Sequence, residues 1–84
     1  MEELAFVIDG NDGNDVFVAI QSCEDGYDYS IADKDYKLID GGVYDDPDIS
    51  IFAALAEILE DIGISGQVTR MPIDYEELME KVQG

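Results

Sequence analysis

The sequence predicts an α+β fold: a four-stranded antiparallel meander, with room for a short fifth strand at 67–71, packed against one main helix near 51–62 and closed by a short helix near 75–82. Three observations carry this. The first forty residues hold short runs, either rich in β-branched and aromatic types or alternating apolar with polar, that are broken at short intervals by turn residues. Residues 50–64, SIFAALAEILEDIGI, hold the one strong 3.6-residue period. Residues 74–77, DYEE, have the spacing of a capping box.

Residues 3–9 alternate around Leu4, Phe6 and Ile8, and residues 15–21 are dense in β-branched and aromatic types, so both read as strands. Gly10-Asn11-Asp12-Gly13-Asn14 lies between them, and its Asp-Gly tolerates the positive φ of a hairpin turn. After the polar turn at 22–26 comes GYDYSIAD, where Tyr27, Tyr29 and Ile31 alternate with Asp28, Ser30 and Ala32. That strand has one wet face. Asp33-Lys34-Asp35 turns the chain into a fourth strand at 36–40, which Gly41-Gly42 is expected to end. Sequential antiparallel strands joined by short turns make a meander.

In the helix near 51–62, Ile51, Phe52, Leu55, Ile58, Leu59 and Ile62 share a stripe roughly 120° wide, opposite Glu57, Glu60 and Asp61. Ser50 is placed to cap the first turn, and Gly63 suits the left-handed residue that ends a helix, with Ile64 positioned for the accompanying apolar contact. Asp74 caps the second helix, where Ile73 and Leu78 form a hydrophobic staple. A helix of two turns is marginal alone and must dock to persist. The expected core is Phe6, Ile8, Val16, Val18, Ile20, Tyr29, Ile31, Ile39, Phe52, Leu55, Ile58, Leu59, Ile62 and Leu78, with Val16 rather than Phe17 facing inward.

Eighty-four residues make one small domain, 1–84. A chain of this size buries about 60–65% of the surface it exposes when unfolded, which leaves no room for a deep substrate cleft. An apolar content of 46% argues against disorder. Twenty-one Asp and Glu against four Lys and Arg give a formal charge of −17. Such a charge repels nucleic acid and anionic membrane surfaces and attracts basic protein surfaces or cations. The single Cys23 forms no internal disulfide, no signal-peptide pattern opens the chain, and no apolar run approaches membrane-spanning length. The expectation is a soluble, cytoplasmic protein that binds neither nucleic acid nor membrane directly.

The sequence contains no histidine, so the usual Ser-His or Cys-His activation of a nucleophile is unavailable. Cys23 has no basic residue beside it in sequence, only Glu24 and Asp25, so nothing local marks it as a nucleophile. The acidic 9–15 run invites a calcium reading, but an EF-hand frame from Asp9 puts Asn14 at the obligatory glycine and Ile20 where a bidentate Glu is needed. A hairpin turn explains the same residues. No enzyme activity, cofactor or metal site is expected. Among the tyrosines, Tyr27 and Tyr29 share the face of Ile31 and belong to the core, while Tyr44, among acidic residues, is the best exposed aromatic.

The acidity is the feature the fold does not require. Glu57, Glu60 and Asp61 sit in the C-terminal half of the helix, where the dipole prefers cations, and Glu57 with Asp61 is a like-charged i,i+4 pair. The stretch GYDYSIADKDYKLIDGGVYDDPDIS followed by EILEDIG resembles small acidic domains of accessory proteins from Gram-positive conjugative transposons, both free-standing and within large polyvalent proteins. The similarity spans residues 6–63 and is marked by Asp33, Lys34, Asp35, Asp40, Gly41, Gly42, Pro47 and Gly63, all turn or helix-boundary positions. It implies an intracellular mobile-element setting and carries over no activity. The functional expectation is a non-catalytic interaction domain whose carboxylates engage a basic, DNA-handling protein in the manner of a nucleic-acid mimic. The candidate partner-binding residues are Asp33, Asp35, Tyr44, Asp45, Asp46, Asp48, Glu57, Glu60 and Asp61, joined into one patch. The alternatives are a small structural domain with no dedicated ligand, or a weak divalent-cation-binding module.

Overall fold

A computed structural model describes residues 3–10, 13 and 15–83. The chain runs β1 (Glu3–Gly10), β2 (Val16–Cys23), β3 (Gly26–Asp33), β4 (Leu38–Tyr44), α1 (Ile51–Ile62), β5 (Gly66–Arg70) and α2 (Tyr75–Gln83). The four-stranded meander forms as expected, and the undecided 67–71 segment is settled as a fifth strand that returns to pair antiparallel with β1, giving the order β4-β3-β2-β1-β5. Every described pairing is antiparallel.

Period-two alternation separates the side chains into two faces. On one face Leu4, Phe6 and Ile8 meet Val16, Val18 and Ile20, which meet Tyr27 and Ile31 on β3; Ile51, Ala54, Leu55, Ile58 and Leu59 of α1 seal this cluster. On the other face Ala5 and Ala19 leave room for Leu78 of α2, with Phe17, Tyr36, Met71, Ile73, Tyr75 and Met79 around it. The domain therefore has three layers, helix, sheet, helix, and the two helices lie on opposite faces. Val16 is buried and Phe17 points to the α2 side, where it stacks on Tyr36 at 4.7 Å with ring planes 6° apart. Lys81 lies over the same Tyr36 ring at 5.7 Å, tying the β3–β4 turn to α2.

The helix boundaries follow the local signals. Ser50 Oγ accepts from Ala53 N at 3.1 Å, and Gly63 takes φ 78°, so that Gly63 N donates to Glu60 O and Ile64 N to Leu59 O. Asp74 Oδ1 accepts from Glu77 N at 2.9 Å, and the stapling pair Ile73 and Leu78 joins the α2-side cluster.

Four parts of the expected core are corrected. Phe52 is 57% exposed: it lies at the margin of the helical stripe, and it touches the core only edge-on, at 5.9 Å from Phe6. Ile39 is 53% exposed because the β3–β4 register slips there: Asp40 pairs with Ile31 and Leu38 with Ala32, so Ile39 is the extra residue of a bulge. Tyr29 and Ile62 are half-buried at the core's rim. Strand β4 also continues through Gly41-Gly42 to Tyr44 rather than ending there. Of the two glycines Gly41 serves the pairing more directly, since a Cβ there would stand 3.1 Å from the Tyr29 carbonyl oxygen, whereas one at Gly42 would only touch the Tyr29 hydroxyl.

Candidate functional site

The 45–48 segment connects the end of β4 to α1 and is held at both ends. At its start, Gly26 brings the first residue of β3 against the Tyr44 carbonyl, and Asp46 N donates to Tyr44 O at 3.0 Å. Asp46 Oδ1 then accepts from Asp48 N at 3.1 Å, an Asx turn. At its end, the buried Tyr27 donates its hydroxyl to Ile49 O at 2.6 Å. This fixes the direction in which the chain enters α1. Asp45 and Asp48 are exposed, while Asp46 is half-buried.

Tyr44 is half-buried rather than exposed, and it packs against the α1-side core at the rim. Partial burial, and then the carboxylates of Glu57, Asp46 and Asp61, push its phenol above the ordinary value of 10.0. Burial, Asp40 and Asp61 push Tyr29 in the same direction. Asp61 acts on both rings, so the end of β4, the 45–48 segment and the near side of α1 form one neighbourhood. Glu57 and Asp61 stand one turn apart on that side of α1, and Glu60 is exposed further round the helix. Two protonated phenols amid carboxylates can accept hydrogen bonds from cationic side chains and donate one each. Asp61→Asn is expected to lower the ionisation midpoints of both tyrosines, read by alkaline spectrophotometric titration. A shift confined to one ring would separate the two halves of the neighbourhood. The raised phenols also favour folding only while protonated, so their contribution is full below pH 10 and declines as the pH rises through their folded values.

Asp33 and Asp35 are not part of this face. They sit where β3 turns into β4, whereas Tyr44 pairs with Tyr27 at the opposite end of β3. An eight-residue strand spans about 25 Å. Asp33 Oδ1 accepts from Asp35 N at 2.9 Å and Lys37 N at 3.0 Å, which builds the turn and occupies much of that carboxylate. Asp15, Val16, Asp33, Lys34, Asp35 and Ile39 line a separate groove of about 320 Å³. Asp40 is not among the expected residues of the face, since a fourth strand that ends at Gly41-Gly42 makes it a strand terminus. The signal was parity, since Asp40 stands two residues from Gly42 and four from Tyr44 on the α1 side.

Of the residues considered for cation binding, Asn11, Asp12 and Asn14 lie outside the described residues. Gly13 N donates to Gly10 O and Gly10 N to Asp15 Oδ1, as in a hairpin turn. Among the described residues no three His, Cys, Asp or Glu side chains are arranged to hold a metal ion, and no helix is long and apolar enough to cross a membrane. Cys23 is a half-buried free thiol at the end of β2.

Searches of curated proteins and of solved structures find no match. The family model described as large polyvalent protein-associated domain 16 matches residues 1–84. With its five-stranded antiparallel sheet between two helices, the chain belongs to the large polyvalent protein-associated domain 16 family.

Proposed function

We propose that this domain is a non-catalytic interaction module of a mobile genetic element, of the conjugative-transposon type, and that it acts in the cytoplasm by engaging a basic surface on a DNA-handling protein. The observation that carries the reading is that Asp40, Tyr29 and Tyr44 share the α1 face of the sheet, where the carboxylates of Asp46, Glu57 and Asp61 also act on the phenols. The fold gains nothing from it: like charges one turn apart on a helix, near its negative end, cost stability. Carboxylates massed on one face are what a groove built for phosphates would meet, and the formal charge of −17 steers a basic partner toward them. Membership in a family associated with large polyvalent proteins supports the mobile-element setting. The patch leaves out Asp33 and Asp35, which stand at the far end of the hairpin.

The test is the salt dependence of binding to a partner recovered from the native cytoplasm. Association should fall steeply between about 50 and 500 mM salt. Changing Asp45, Asp46 and Asp48 together to Asn should slow association more than it speeds dissociation. Asn retains the Oδ1 acceptor of the Asp46 turn, so the connection stays intact. Binding that is unchanged by salt, or by the triple substitution, would rule out the acidic-face mechanism.

A further inference from the structure

Resting on the acidic-face reading, we propose that the partner's contact is an extended basic segment that adds to the sheet as a sixth strand along the free edge of β4. Among the described residues, strand β4 pairs with β3 on one side and ends the sheet on the other. Such an edge presents unpaired backbone groups and is a template for another strand. The opposite edge is less suited: β5 has five residues and carries Arg70, whereas β4 has seven and no cation.

The side chains along β4 say what the incoming strand must carry. Asp40, Gly42 and Tyr44 pair with Ile31, Tyr29 and Tyr27 and so share the α1 face, alongside Glu57 and Asp61. Val43 and Leu38 pair with Asp28 and Ala32 on the opposite face, where both are exposed. A strand laid beside β4 therefore sets alternate residues against carboxylates and against apolar groups. The matching segment alternates Lys or Arg with aliphatic residues.

The edge is guarded in a way that selects for charge. Asp40 Oδ1 accepts from Gly41 N at 2.8 Å, so a carboxylate occupies a backbone donor of the edge strand. Natural edges are blunted by charge to stop like chains pairing. Here the guard is negative, and a second copy of this chain brings a formal charge of −17 against it. A basic strand meets attraction instead. Its carbonyl can replace the Asp40 carboxylate on Gly41 N, and that carboxylate is then free to pair with an incoming ammonium or guanidinium group.

A fluorescently labelled peptide of alternating Lys and Val, seven residues long to match β4, tests this against the intact domain by anisotropy at about 50 mM salt. Two control peptides carry the same charges with alternate backbone nitrogens methylated, one set on each edge of the strand. Saturable binding that weakens about tenfold or more for one methylated edge and not the other supports strand addition. Slowed hydrogen exchange at the amides of Gly41 and Val43 on binding supports it as well. Equal binding of all three peptides overturns strand addition while leaving the acidic face as the contact. No binding of any of them overturns both readings. Protection of the β4 amides that grows with domain concentration, without peptide, overturns the proposal in favour of a second copy.

Discussion

Replacing Leu55 by Ala lowers the stability of the domain by about 2–5 kcal/mol, from lost transfer energy plus the cavity left behind. Leu55 is 3% exposed, in the middle of α1, and packs into the larger of the two core clusters. At about 0.05–0.15 kcal/mol per residue the whole domain has roughly 4–12 kcal/mol, so this one change removes a large part of it. Phe52→Ala, one turn earlier on the same helix, is expected to cost less, about 0.5–1.5 kcal/mol for the edge-to-face pair plus a reduced burial contribution from a ring that is 57% exposed. Urea denaturation of both variants, with unchanged m-values, makes the comparison. A Leu55→Ala loss below about 1 kcal/mol, or one no larger than that of Phe52→Ala, would mean α1 does not organise the core.

The contrast between these two residues shows where a sequence stops being legible. Helical period placed Phe52 and Leu55 in one stripe, and both elements of the local grammar at the helix ends, Ser50 and Gly63, behave as their chemistry dictates. Which side of the stripe is covered depends on where the sheet ends, and that is a tertiary fact. Ile39 failed for a related reason, because a bulge changes the parity of every residue beyond it and leaves no trace in composition. The small residues Ala5 and Ala19 carry a legible hint: small side chains in adjacent strands make a flat floor for a second helix, and Leu78 fills it. For the candidate face, the acidic residues of α1 and of the 45–48 segment were readable as charge that the fold does not need. The parity that sets Asp40 on the side of Tyr44 was readable too, but their meeting with Tyr29 was not, since it arises from the antiparallel return of β4 along β3.

Gly26→Ala is expected to be as damaging as the core truncation, at about 2–6 kcal/mol. About 1–3 kcal/mol comes from holding an L-residue at φ 147° and about 1–3 from overpacking. A Cβ on Gly26 would overlap the Tyr44 carbonyl oxygen and stand 2.9 Å from Asp46 N. Both are backbone atoms, so no side-chain rotation relieves the contact. The end of β4 has to move away from the start of β3. That displacement acts on the link between Asp46 N and Tyr44 O, and it shifts Tyr44 and Asp46 away from Glu57 and Asp61. Gly63→Ala is the control: its φ is 78°, yet a Cβ there meets nothing within 4 Å, so the cost is that of the left-handed conformation alone, about 1–2 kcal/mol. Denaturation should rank Gly26→Ala below Gly63→Ala in stability, and amide chemical shifts should move at 44–48 in the first variant only. Under conditions where both variants remain folded, Gly26→Ala should also weaken binding to the basic partner while Gly63→Ala leaves it unchanged, because only the former disturbs the acidic face. Equal stability losses with unmoved 44–48 amides would mean that the close approach at Gly26 does not hold that face in place.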